Sequence, residues 1–209
     1  MSESLVPQLL LVAFFLLVGF PVHEFAHALV AYRLGDGTAK LFGRLTLNPI
    51  AHFDPLGALM LAISALSGTG FLFGWAKPTP VNAANLRDRR NGEVAVALAG
   101  PLSNLLMAAA GALVYRLVTA GAAIPDQIAI LLFLFIVFNV GLAVINLIPI
   151  PPLDGAALLF RFLPYETAWR IRPVLAQWGI AILLVIVLVG GPVIQAVMGL
   201  IVTILLGAF

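Results

Sequence analysis

Two histidines and a glutamate sit inside an apolar run, and no other feature constrains the chain as tightly. The run extends from Leu5 to Leu34, and its second half reads FPVHEFAHALVAYRL, with HEFAH at the centre. Ionisable groups at membrane depth are costly and persist only where they have partners or a task. His23 and His27 are four apart, so on a helix they lie one turn apart on the same face. Two imidazoles so placed can grip one metal ion. Glu24 beside them can reach a water on that metal, the HExxH arrangement of zinc hydrolases. The competing reading is a self-paired His/Glu cluster that glues helices together.

Of the 209 residues, 62% are hydrophobic and only 10% charged, where a soluble domain carries roughly a quarter charged. The chain therefore reads as an integral membrane protein, a single domain over residues 1–209, because no polar block is long enough to fold alone. Cysteine is absent, so any metal must be held by His, Asp, Glu or Asn. The net charge of +2 does not suggest nucleic acid; the arginines flank apolar segments, where membrane orientation accounts for them.

Leu5 to Leu34 reads as a spanning helix, too long for a cleavable signal peptide, with Pro21 placed to kink it. Thr38 to Leu47 alternates loosely and predicts a short membrane-associated β hairpin, whose edge could pair with an extended substrate. LNPIAHFDPLG contributes His52 and Asp54, candidate gate or accessory residues, with turn and cap roles as the alternative. Leu56 to Phe73 is apolar but broken by glycines, and GWAKPTPVN, Gly74 to Asn82, reads as extended. Val94 to Thr119 is the next span. Its AGPLSN carries Asn104, either an interhelical hydrogen-bonding residue or a donor toward substrate or a developing oxyanion. Ile128 to Ile148 is a further span with Asn139 and with Asn146, the second substrate or oxyanion candidate. NLIPIPPLDG then breaks the helix with three prolines and delivers Asp154. Alone, Leu-Asp-Gly makes a turn and an N-cap for a helix over Ala156 to Leu163; beside HEFAH, Asp154 is the natural third ligand. After a basic linker, Val174 to Val189 and Val193 to Leu206 predict two spans joined by a tight hairpin at Gly190, Gly191 and Pro192.

If His23, His27 and Asp154 share a metal, both motifs lie at one depth near one face. Leu56 to Phe73 then makes no net crossing and is re-entrant or interfacial. Of the 11 Lys and Arg residues, all but Arg116 then fall on the HEFAH side, which the positive-inside rule makes cytoplasmic. The expected fold is an all-α polytopic protein. It has about five full spans, a catalytic core over about 5–160 and a C-terminal helical hairpin over 174–206. Its N-terminus lies outside and its C-terminus in the cytoplasm.

Taken in order, HEFAH, AGPLSN and NLIPIPPLDG resemble the site-2 protease family of intramembrane zinc metalloproteases, and LNPIAHFDPLG and GWAKPTPVN resemble its short members. The matching motifs run from His23 to Gly155. The Asn-x-x-Pro-x-Pro-x-Leu-Asp-Gly pattern reads Asn146, Pro149, Pro151, Leu153, Asp154 and Gly155. The resemblance implies one zinc per chain on His23, His27 and Asp154, Glu24 as catalytic base, and a substrate-side role for Asn104. It implies an endopeptidase of a prokaryotic cell membrane, cutting transmembrane or membrane-proximal segments of other proteins near the cytoplasmic face. Its partners are those substrates and the lipid bilayer. No spanning helix is expected before the HEFAH helix, and neither a PDZ-like insert nor a nucleotide-sensing domain. The alternative from another class is a membrane metal-ion transporter using the same His/Asp site for transit. A single ligand cluster, with no polar series across the membrane, weighs against it.

Overall fold

The computed structural model describes residues 13–67, 74–121 and 125–207, and among them every regular element is helical. Helix α1, Phe20–Arg33, follows a π-helical turn at Phe15–Gly19. Pro21 accounts for that wide turn: its ring removes a helical N–H, so a carbonyl one turn earlier lacks its usual donor. The N-terminal part of the predicted first span, residues 5–12, lies outside the described residues.

The β hairpin predicted over Thr38 to Leu47 is not there. Thr38–Leu41 instead forms one helical turn, α2. Gly35 and Gly43 bracket it with φ of 112° and 66°, left-handed values that favour glycine. Asp36 accepts from the Thr38 backbone N–H at 3.0 Å and from its hydroxyl. This local side-chain bonding competes with strand pairing and wins. Next come α3, Pro49–His52, capped by Asn48, and α4, Pro55–Leu66, capped by Asp54. Each opens with a proline, where a missing N–H costs nothing. At 12 residues, α4 is about 18 Å long, too short to cross a hydrocarbon core of about 30 Å.

Three helices among the described residues are long and apolar enough to cross a membrane: α5, Arg89–Gly121; α6, Asp126–Asn146; and α8, Tyr165–Leu206. Between α6 and α8 lies α7, Gly155–Phe162. Helices α5 and α6 pack closely because Gly111 admits the Phe135 ring; a Cβ there would meet it at 2.7 Å. Ala108, Ala112, Ile136 and Val140 form their buried seam, which Val202 of α8 completes. Ala31, Leu86 and Val96 join α1 to the start of α5.

The C-terminal hairpin is also overturned. Helix α8 runs unbroken for 42 residues through Gly190, Gly191 and Pro192, about 63 Å. A reversal at that depth would strip several backbone groups of partners, whereas Pro192 within a helix forfeits a single N–H. The expected count of five spans falls with it, since two of the five are one helix. So does the expected position of the C-terminus. Gly179 packs on the Pro151 carbonyl, beside the Asp154 loop, while Gly207 lies against the Arg116 guanidinium near the far end of α5. The end of α8 is therefore at the opposite pole of the bundle from HEFAH.

Candidate metal centre

Helix α1 brings both histidines to its buried face. In the NLIPIPPLDG loop the chain doubles back so tightly that a Cβ at Gly155 would stand 2.4 Å from the Leu147 carbonyl oxygen. That turn carries Asp154 to the histidines. Asp154 occupies the N-cap position of α7 yet makes no side-chain capping bond. Its Oδ2 lies 3.2 Å from His23 Nε2 and 3.4 Å from His27 Nε2, and the two Nε2 atoms are 3.1 Å apart.

Hydrogen bonds behind the rings decide which nitrogens carry protons. His27 Nδ1 lies 2.7 Å from the Val96 carbonyl, which only accepts, so Nδ1 donates and Nε2 presents a lone pair. His23 is fixed by a longer relay that begins at a backbone carbonyl. Asn139 Nδ2 donates to the Phe135 carbonyl at 2.9 Å, so Asn139 Oδ1 accepts from Asn104 Nδ2 at 3.0 Å. Asn104 Oδ1 therefore faces His23 Nδ1, at 2.6 Å, and accepts its proton. His23 Nε2 is then a lone pair as well.

Two nitrogen lone pairs and a carboxylate oxygen thus converge with no proton between them, and Asp154 Oδ2 is buried without a hydrogen-bond partner. Protonating both rings would instead set two N–H hydrogens against each other across 3.1 Å. A cation at the centre of the three atoms satisfies all of them at once. Ligands about 2.0–2.1 Å from a tetrahedral zinc stand about 3.3 Å from one another, and the observed spacings of 3.1, 3.2 and 3.4 Å fit. Gly100 of α5 makes the room: a Cβ there would lie 2.4 Å from His27 Nε2 and 2.6 Å from His23 Nε2.

Glu24 stands beside the cluster, with Oε2 accepting from the Thr79 backbone N–H at 2.8 Å. Asn104 is fully buried and spends its amide on His23 and Asn139, the interhelical alternative of its two readings. Asn146 donates to the Leu142 carbonyl of its own helix at 2.9 Å. His52 is buried with Nε2 on the Thr46 carbonyl at 2.8 Å, and Asp54 caps α4 through Gly57 N–H at 2.8 Å. Among the described residues His23, His27 and Asp154 form the one candidate ligand group. Gly100, Asn139 and Thr79 escaped the reading of the sequence as site residues. Asn139 carried a signal, an amide in an apolar helix; Gly100 read only as a small packing residue.

The family model for peptidase family M50 matches residues 114–186, which include the Asp154 loop. A protein of Bacillus subtilis (strain 168) named "Putative zinc metalloprotease YwhC" is 40% identical over 166 residues, 77% of this chain and 71% of that one. Rip2 proteins of Mycolicibacterium smegmatis and Mycobacterium tuberculosis (strain H37Rv), given the same description, are each 36% identical over 82% of this chain. The chain spans 64% of their length. No solved structure gives a significant match.

Proposed function

The chain belongs to peptidase family M50, the membrane-embedded zinc metalloproteases, and from that premise we propose that it is an intramembrane endopeptidase. Its substrates are transmembrane or membrane-proximal segments of other proteins, cut near the cytoplasmic face. The observation that carries the reading is the convergence of His23, His27 and Asp154 around an uncompensated buried carboxylate oxygen.

His23, His27 and Asp154 would hold the zinc, and a set of three protein ligands is the catalytic and not the structural pattern. The chemistry such a metal would supply is Lewis acidity, toward a carbonyl oxygen and toward a water. Glu24 takes a proton from the attacking water and returns it to the departing amine, so water adds across the peptide bond with no net proton change. The Val96 carbonyl and Asn104 fix the tautomer and orientation of both imidazoles. A substrate helix hides its carbonyls and must unwind locally, so residues of low helix propensity near the cut favour cleavage. The excess of Lys and Arg on the HEFAH side supports placing the site near the cytoplasm.

The test is zinc content together with cleavage of a single-span substrate. Glu24→Gln should keep about one zinc and lose activity by at least about 100-fold. Asp154→Ala should lose both. Wild-type cleavage by Glu24→Gln rejects the assignment.

A further inference from the structure

The segment from Gly74 to Asn82 has no helix or strand, yet it is held along its whole length. A Cβ on Gly57 would lie 2.0 Å from the Trp75 carbonyl oxygen, and one on Gly74 would lie 2.5 Å from the Leu61 Cβ. The Lys77 N–H donates to the His52 carbonyl at 2.9 Å, and Arg44 donates to the Lys77 carbonyl at 3.3 Å. The Asn82 N–H donates to Asp36 Oδ2 at 2.7 Å.

Between these anchors runs Pro78-Thr79-Pro80. Neither proline has an N–H, so Thr79 owns the one main-chain donor of the three, and the residue before a proline is confined to extended backbone. That donor meets Glu24 Oε2 at 2.8 Å, while the Thr79 hydroxyl donates to the Glu24 main-chain carbonyl at 3.1 Å. Glu24 is clasped at both ends by a residue whose own backbone is locked on both sides.

From this clasp we infer that Thr79 is a positioning residue for Glu24. It holds Oε2 through its backbone N–H and leaves Oε1 to exchange the proton with water. The inference rests on the reading of Glu24 as the base. The close packing at Gly57 and Gly74 makes the segment a rigid support, not a lid.

The test compares Thr79→Ser, Thr79→Val and Thr79→Pro in the full zinc-loaded chain, beside Glu24→Gln, reading kcat, KM and zinc content on a single-span substrate. Serine keeps both bonds and should leave kcat within about twofold. Valine keeps the N–H but loses the hydroxyl bond and should lower kcat by about three- to tenfold. Proline loses both and should lower kcat by about 100-fold. KM and zinc content should stay at wild-type values throughout. Equal kcat for the Ser and Val variants overturns the inference even if the Pro variant does not fold; so does a loss that appears in KM or zinc content alone. An inert Glu24→Gln beside normal Thr79 variants removes the clasp and spares the protease reading. An active Glu24→Gln removes both.

Discussion

A buried amide needs partners for both its oxygen and its nitrogen, and Asn104 finds one on each neighbouring helix. It ties His23 of α1 to Asn139 of α6. Asn104→Leu should leave His23 Nδ1 without an acceptor and free the ring to turn or change tautomer. Zinc affinity should then fall about 10- to 100-fold, measured by competition with a chromogenic chelator; unchanged affinity would count against the relay. Gly100→Ala tests the other wall. Its methyl would stand 2.4 Å from His27 Nε2, inside contact distance of a rigid ring, so metal content should fall below detection while expression persists. The spacing of HEFAH was legible because a helical repeat is a local property. Gly100 was not, because nothing local in AGPLSN says which side chain its missing Cβ admits.

Elements were harder to read than motifs, and the failures share a cause. TAKLFGRLTL alternates like a strand, but its start is governed by Asp36, which lies outside the pattern and binds Thr38, Asn82 and Asn85. Gly-Gly-Pro reads as a reversal in water; in lipid the unmet backbone groups keep α8 helical. The Asp36 hub also sets a pH dependence. Burial pushes its carboxyl up, yet hydrogen bonds from Thr38, Asn85 and the Asn82 N–H outweigh this and hold it below the ordinary carboxylate value. The charged form is therefore the stabilising one in the folded state. Its contribution is present above the unfolded value of about 4 and is lost as pH falls through the folded value. Asp36→Asn should melt below wild type at pH 7, and the gap should narrow as pH falls below the ordinary carboxylate value of about 4. A gap that is constant with pH would mean that charge at Asp36 does not matter. Thr79 lay beyond sequence reading altogether, since its bond to Glu24 joins main chain to a residue 55 positions away.

At the scale of the whole molecule, the single passage of α8 places Gly207 beside Arg116 and away from the histidines. Topology reporters inserted near Gly43 and fused after Gly207 should therefore report opposite faces of the membrane; the same face would restore the hairpin. The order of the ligands along the chain has a further result. HEFAH leaves the ribosome first, and Asp154, the third member of the candidate cluster, follows only after α5 and α6 have been made. Until then the two imidazoles lack the third member of their cluster. On the proposed reading, the late arrival of one carboxylate sets the moment at which the growing chain can first hold its metal.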